Sequence, residues 1–274
     1  MLLQTALVKG VQIIKMILAV DVGNTNIVIG CIEGDEILFN ERVSTNHKAT
    51  DLEYAIKIKN IFEIHDIDLG KIEGAVMSSV VPSITEAIEQ AVKKLINSQP
   101  LVVGSGIKTG LRIKIPNPQQ VGADRIVDAV AAYEIYGGPV LVLDYGTATT
   151  YDLVDEKGTF IGGITAPGIA ISAKALWEDA AKLPKIEIAK PENVIGNDTI
   201  TSMQSGLVYG QIGQAEYLIK KVKEEAGLEN IKVVATGGLG RLISENTDAI
   251  DIYDANLTLK GIYLVYKKQN RRTK

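Results

Sequence analysis

The residues best suited to chemistry are two aspartates that follow apolar strands and precede glycine turns. Asp21 follows the run ILAV and comes two residues before Gly23, and Asp144 follows VLVL and comes two residues before Gly146. The segments ILAVDVGNTNIVIG and VLVLDYGTATTYDL align at one constant offset of 123 residues. Either turn alone would be an ordinary hairpin, since Asp and Gly are good turn formers. The repeat instead predicts two half-sites that face each other and frame a cleft.

The first turn has the composition of a phosphate-binding loop. Gly23 permits close approach of the backbone, Asn24, Thr25 and Asn26 add hydrogen-bond donors, and Asp21 is placed to hold a hydrated Mg²⁺. The chain contains no G-x-x-x-x-G-K-[ST] segment and no G-x-G-x-x-G at a strand-to-helix turn. Because Walker and Rossmann schemes need those motifs, we expect phosphates to lie against hairpins instead.

A third polar cluster, VGADRIVDAV, runs from residue 121 to 130. Gly122 precedes a helical pattern, so Asp124 and Arg125 fall in the first helical turn. Asp124 could accept a proton from a hydroxyl, and the fork of Arg125 could clamp a substrate carboxylate. The structural alternative stays open, because Asp is favourable at a helix start without any function and Arg125 could pair with a neighbouring carboxylate.

The elements that must position these residues alternate between strands and helices. A three-strand meander begins at Met16, helices are predicted near 50–63 and 82–97 with the strand GAVMSSVV between them, and a second meander begins at residue 139. A helix to about residue 181 follows, then a long helix capped by Asp198 or Thr199, and then the strand and glycine turn IKVVATGGLG. The pattern predicts an α/β fold.

Composition and single residues exclude several classes of function. Apolar residues make up 46% of the 274 residues and the net charge is −4, which favours a packed globular protein and argues against nucleic acid as a partner. One cysteine, Cys31, and two histidines, His47 and His65, cannot supply a disulfide or a zinc cage. No G-x-S-x-G elbow and no membrane-length apolar run occur, and residues 1–15 lack the features of a signal peptide. We therefore expect a cytoplasmic protein.

Together these motifs resemble those of type III pantothenate kinases, bacterial enzymes of the acetate kinase, sugar kinase, Hsp70 and actin superfamily. The resemblance spans Met16 to the C-terminal helix and is carried by DVGNTNIVIG, NPQQVGADR, DYGTATTYD, GGITAPG and TGG, in this order. It implies two similar actin-like (ribonuclease H-like) domains, at 16–138 and 139–274, with a nucleotide cleft between them. Residues 1–15 would be an extension before a natural start at Met16.

The resemblance also implies a reaction and a role for each matching residue. ATP would phosphorylate the primary hydroxyl of pantothenate to give 4′-phosphopantothenate, the first step of coenzyme A synthesis, with Asp124 as general base. Asp144 would bind a monovalent cation, K⁺ or NH₄⁺, and Asp21 would bind Mg²⁺ through ATP. The implied ATP-binding residues are Asp21, Val22, Gly23, Asn24, Thr25, Asn26, Ile27, Val28, Thr147, Gly237 and Gly238, and the implied pantothenate-binding residues are Gly122, Ala123, Asp124, Arg125 and Thr199.

One departure from the family pattern concerns the substrate motif. Members often have a tyrosine where this chain has Ile115, so that substrate contact is not carried over. The family also implies a homodimer in which the partner chain helps to wall the pantothenate pocket, and the glycines at 206, 210 and 213 would allow helices to pack closely. Two other functions stay open: a kinase for acetate or a sugar, and a non-catalytic nucleotide-dependent regulator.

Overall fold

Two mixed β-sheets organise the computed structural model, which describes residues 16–104, 106–180 and 182–270. The predicted extension at 1–15 lies outside the described residues. The first sheet has the order β3-β2-β1-β4-β5, with β1 antiparallel to β2 and parallel to β4. Its strands are β1 (Met16–Val22), β2 (Asn26–Glu33), β3 (Glu36–Ser44), β4 (Ile72–Ser79) and β5 (Leu101–Val102).

The second sheet repeats this arrangement and adds one strand. Its strands are β6 (Arg112–Ile113), β7 (Val140–Tyr145), β8 (Ala148–Val154), β9 (Thr159–Pro167), β10 (Lys232–Thr236) and β11 (Ile252–Tyr253). They lie in the order β11-β10-β7-β8-β9-β6, with β7 antiparallel to β8 and parallel to β10. The internal repeat seen in the sequence is therefore a repeat of strand topology.

Seven α-helices connect and cover the sheets in the described part of the chain. They are α1 (Asp51–Ile64), α2 (Pro82–Ile96), α3 (Ala123–Tyr136), α4 (Ile169–Asp179), α5 (Thr199–Ala226), α6 (Gly240–Ser244) and α7 (Leu257–Asn270). Asp198 is the N-cap of α5, since its carboxylate accepts a hydrogen bond of 2.9 Å from the Thr201 amide. Helix α4 ends at Asp179, and the predicted end near residue 181 falls on a residue outside the described ranges.

One helical layer lies between the two sheets, and every second side chain of the central strands packs against it. In β1, Ile17 and Ala19 pack into a core that also contains α3, α7 and the β7 residues Val140 and Val142. The intervening residues of β1 pack against α1 and α2, and those of β7 pack against α4 and α5. Because side chains alternate along a strand, Asp21 and Asp144 continue the inward-facing sets towards the layer that contains α3.

Two elements cross the predicted boundary at residue 138. Strand β6 belongs to the second sheet although it precedes that boundary, and α7 packs against β1, β4 and α3 although it follows it. The division into domains at 16–138 and 139–274 therefore stays a prediction. None of the helices in the described ranges is long and apolar enough to cross a membrane.

Candidate active site

The turns of the two hairpins meet across the gap between the sheets. The Oγ1 atoms of Thr25, between β1 and β2, and Thr147, between β7 and β8, are 3.1 Å apart, within hydrogen-bond distance. Within each turn a glycine amide donates back to the following strand, Gly23 to the Asn26 carbonyl and Gly146 to the Ala148 carbonyl. Two turns that lie 122 residues apart in sequence thus form one surface of amides and hydroxyls.

Two aspartates lie behind these turns at equivalent places in the two sheets. Asp21 pairs with Val28 on β2, and Asp144 pairs with Thr150 on β8. Asp124 and Asp128 approach from the first turns of α3, and their spacing of four residues places them on one helix face. The carboxylates raise one another's pKa values, which identifies them as one electrostatic cluster.

The pKa values of the two strand-end aspartates are strongly raised. Burial raises the pKa of Asp21 to about 7, with further increases from Asp124 and Asp144. Burial raises the pKa of Asp144 to about 7 as well, followed by Asp124 and Asp152. A cation beside either carboxylate would lower its pKa and relieve the repulsion. Such a cluster is suited to binding cations together with a phosphorylated ligand.

Asp124 has the surroundings of a general base. Its Oδ1 accepts a 2.7 Å hydrogen bond from the Arg125 amide, which orients the carboxylate at the start of α3. Burial raises its pKa, and the amide hydrogen bond and the Arg125 charge oppose that increase. A base whose pKa is raised towards neutrality accepts a proton more readily than an exposed aspartate does.

Arg125 pairs with a buried carboxylate that the sequence analysis did not single out. Its Nε lies 3.0 Å from both carboxylate oxygens of Asp152, and its Nη2 also contacts Oδ1. Asp152 is buried on β8, two residues beyond Thr150 and on the same face. A side chain at Gly163, opposite on β9, would collide with this pair. Of the two alternatives for Arg125, the pairing with a neighbouring carboxylate is therefore present in the structure.

Two further charged residues near the cluster also escaped the sequence analysis. Asp128 is 2% exposed, and its Oδ1 has no hydrogen-bond partner among the described residues. Burial raises its pKa well above the ordinary value, and Asp144 raises it further. Arg42 on β3 lowers the pKa values of Asp21 and Asp144. The four-residue spacing from Asp124 was the available signal for Asp128, whereas Arg42 belongs to no motif.

The glycine turn after β10 closes one side of the site. Gly237 has a φ of +90°, which favours glycine, and a Cβ there would collide with the Asp144 carboxylate and the Tyr145 backbone. The TGG turn therefore lies directly beside Asp144.

Some residues implied by the resemblance are not brought to the aspartates within the chain. Thr199 is exposed at the first position of α5 and has no hydrogen bond to residues 122–125 within the described ranges. Ile115 is partly buried and packs against the core that contains α3 and α7. His65 stacks on Phe39 at the end of α1, and His47 is exposed in a loop. Both histidines have surroundings that differ from those of the aspartate cluster.

A metal site formed by protein side chains alone is not present in the described ranges, where no three Asp, Glu, His or Cys side chains are placed to hold one ion. Any cation at Asp21 or Asp144 would therefore need oxygens from other groups, such as phosphates, hydroxyls, carbonyls or water.

A family model and two relatives that match this chain name the same family. The family model for type III pantothenate kinase matches residues 17–221. A type III pantothenate kinase from Agathobacter rectalis is 62% identical over 94% of this chain and 99% of the relative. Another from Halalkalibacterium halodurans is 49% identical over 92% of this chain and 99% of the relative.

Solved structures support the fold. A conserved candidate transcriptional activator of the Baf family from Campylobacter jejuni aligns with a TM-score of 0.57 at 21% identity, over 93% of this chain and 99% of that chain. MreB 5 of Spiroplasma citri bound to AMPPNP aligns with a TM-score of 0.56 at 11% identity, over 94% and 98%. At these identities the likeness concerns the fold alone, which is that of two actin-like domains.

Proposed function

The chain belongs to the type III pantothenate kinase family, and from that premise we propose how its residues carry out the reaction. Enzymes of this family transfer the γ-phosphate of ATP to the 4′-hydroxyl of pantothenate. The product, 4′-phosphopantothenate, is the first intermediate of coenzyme A synthesis, and this chain is an enzyme of that class. The roles of its individual residues are the substance of the proposal.

ATP binds between the two hairpin turns, and the contact between Thr25 and Thr147 is the observation that supports this most strongly. Residues 21–28 supply amides and hydroxyls on one side of the phosphate chain, and Thr147 supplies a hydroxyl on the other. Gly237 and Gly238 lie where a flat ring or a phosphate can approach the backbone closely. Donors fixed in two rigid hairpins stabilise charge on the transferred phosphate without rearranging.

Asp124 takes the proton from the 4′-hydroxyl as that oxygen attacks the γ-phosphate. Its carboxylate is oriented by the Arg125 amide and stands among the carboxylates that face the turns. The hydroxyl loses its proton to the carboxylate, the new oxygen–phosphorus bond forms, and the bond to the leaving ADP oxygen breaks. Positioning of the two substrates and of this base supplies most of the rate increase.

Pantothenate binds at Gly122, Ala123, Asp124 and Arg125, with Thr199 contributing from the start of α5. Arg125 is held by Asp152 through Nε and Nη2, and its side chain remains 23% exposed. A guanidinium fixed in this way presents its outer edge to a substrate carboxylate with little loss of rotational freedom. The pair with Asp152 then positions Arg125 for substrate instead of competing with it.

Two cations fit the donor chemistry of the cluster. Asp21 would hold Mg²⁺ together with the ATP phosphates, and Asp144 would hold K⁺ or NH₄⁺ beside the threonines that pair with it, Thr150 and Thr236. Oxygen ligands suit these ions, and the raised pKa values of both aspartates are relieved by positive charge. The cations supply charge neutralisation when bound.

A homodimer completes the site. Gly206, Gly210 and Gly213 lie on one exposed face of α5, and a Cβ added to any of them would meet no atom within 4 Å. Thr199 is exposed at the start of the same helix and makes no hydrogen bond to residues 122–125 within the described ranges. Pairing along α5 would cover the glycine face and bring a second chain to the pantothenate pocket. We place the enzyme in the cytoplasm, where the buried thiol of Cys31 stays reduced.

The proposal is tested by incubating the purified protein with ATP, Mg²⁺ and K⁺ in the presence of pantothenate, acetate or glucose. Formation of 4′-phosphopantothenate by mass, with ADP formation that depends on pantothenate, is expected. ADP formation that follows acetate or glucose instead would favour another kinase of the superfamily. Nucleotide binding without phosphorylation of any acceptor would favour the regulatory alternative.

A further inference from the structure

An arginine on the edge strand of the first sheet, Arg42, lies over the cleft. Arg42 is an exposed residue of β3, two positions before the strand ends. Within the described ranges its guanidinium makes no hydrogen bond and no ion pair, as is also true of Arg112 at the far edge of the second sheet, whereas Arg125 pairs with Asp152. A positively charged side chain that is exposed beside a cluster of carboxylates is placed to bind an anionic ligand.

Strand register places Arg42 on the same face as the first aspartate. Arg42 pairs with Val28 on β2, and Val28 pairs with Asp21 on β1. Residues directly opposite each other in neighbouring strands point to the same side of a sheet. The side chain of Arg42 therefore extends from the face that carries Asp21, which is the face directed at the second sheet.

The guanidinium reaches across the gap to the glycine turn of the second sheet. A Cβ added to Gly238 would lie 2.9 Å from its Nη1 and 3.7 Å from its Nη2. Its charge lowers the pKa values of both Asp21 and Asp144, one from each sheet. Arg42 thus stands where the first hairpin, the TGG turn and the two strand-end carboxylates converge.

The charge balance of this place identifies the kind of ligand. Asp21, Asp124 and Asp144 make the cleft negative, so an incoming polyphosphate needs positive charge from the protein as well as from Mg²⁺. The hairpin turns supply only neutral donors, the amides and hydroxyls of residues 23–26 and 147. A guanidinium presents paired donors that match phosphate oxygens.

We propose that Arg42 binds the phosphate chain of the nucleotide from the side of the cleft where the end of β3 faces the glycine turn at 237–238. This rests on the proposed function, because it takes the cleft between the hairpins as the nucleotide site. Because adenosine carries no phosphate, its binding should not depend on this contact, whereas that of ADP and ATP should.

Calorimetric titrations of AMPPNP, ADP and adenosine, with Mg²⁺ and without pantothenate, test this. Arg42→Gln should weaken AMPPNP and ADP binding by about 10- to 100-fold, as expected for a lost charged hydrogen bond, and leave adenosine within about twofold of wild type. Arg42→Lys should recover part of the loss. Arg112→Gln is the matched control, since Arg112 is an exposed arginine at the opposite end of the second sheet, next to Thr159.

Two results would overturn the assignment. AMPPNP affinity of Arg42→Gln within about twofold of wild type would remove the phosphate contact. An equal loss for adenosine would show that Arg42 only holds the turn at 237–238. If wild type binds AMPPNP but does not phosphorylate pantothenate, the proposed function fails. The affinities of wild type and Arg42→Gln for AMPPNP then still test the phosphate contact.

Discussion

The two hairpins of this enzyme share one architecture and differ in charge. Each has an aspartate at the end of the inner strand, a glycine turn, and a third strand that completes a row of residues across the sheet. The rows read Ser78, Asp21, Val28, Arg42 in the first sheet and Thr236, Asp144, Thr150, Thr165 in the second. The carboxylate is present in both copies, whereas the positive charge is present in one.

Under the proposed assignments, this difference explains how two similar halves would hold different ligands. The first row combines a carboxylate with an arginine, which suits a metal ion bound to a polyphosphate. The second row surrounds its carboxylate with threonines, whose neutral oxygens suit a cation of low charge. Helix α3 brings Asp124, the proposed base, to the place where the two rows meet.

Removal of the Asp124 carboxylate, which lies between the two halves, should have the largest effect on turnover. Asp124→Asn should lower kcat by about 100-fold or more, the usual scale for a positioned base, while ATP and pantothenate still bind. Steady-state rates and calorimetric affinities measured on the same preparation check both parts. A kcat within a few-fold of wild type would show that another group accepts the proton.

Arg125→Ala should raise the KM for pantothenate by about 30- to 150-fold with little change in the KM for ATP, since it removes the proposed charge-assisted bidentate contact. It also leaves the buried Asp152 carboxylate without its charged partner and with only the hydrogen bond to Thr150, which should lower the free energy of unfolding by about 3 kcal/mol. The double variant Arg125→Ala with Asp152→Asn should regain stability and keep the high KM.

Pantetheine lacks the carboxylate and serves as the substrate control for this variant. It should be a poor substrate for wild type and little worse for Arg125→Ala. If the variant lost pantetheine and pantothenate activity equally, or if the double variant recovered a normal KM, Arg125 would be a structural partner of Asp152 only.

The two strand-end aspartates should respond differently to K⁺. Asp144→Ala should abolish K⁺ activation, and Asp21→Ala should instead weaken Mg²⁺-ATP. Burial raises the pKa of Asp144 to about 7, so the group holds a proton below that pH, which a K⁺ ion bound there as proposed would have to displace. Lowering the pH from 8 to 6 should therefore raise the half-saturating K⁺ concentration about tenfold. An unchanged K⁺ requirement across this range, or K⁺ activation in Asp144→Ala, would refute the assignment.

The smallest effect should be that of an Asp128 variant on stability. Asp128 is buried with an unpartnered oxygen among three other carboxylates, so a charge there opposes folding. Asp128→Asn should raise the free energy of unfolding of the ligand-free protein by about 1 kcal/mol at pH 8, and less at low pH where Asp128 is protonated. Urea unfolding at two pH values measures this, and a decrease at pH 8 would contradict it.

Sequence periodicity was sufficient for the architecture and for the two facing turns. Long apolar strands and long helices with regular apolar spacing carry their own signals, so the meanders, α1, α2, α3 and α5 could be predicted, α1 and α5 also from their N-caps. Short elements such as β5, β6, β11 and α6 are stabilised by their neighbours and have no periodicity to detect. The pairing of Arg125 with Asp152 and the reach of Arg42 depend on strand register over long sequence separations, which one sequence does not specify.

The most direct test is a single turnover with γ-³²P-labelled ATP and enzyme in excess, quenched on the millisecond scale. If Asp124 is the base, as proposed, and the hydroxyl attacks phosphorus directly, label should pass from ATP to 4′-phosphopantothenate as ADP forms, with none on the protein. Direct transfer from ATP to pantothenate would be contradicted if label first appeared on the protein, as expected for an aspartyl phosphate, and then moved to pantothenate.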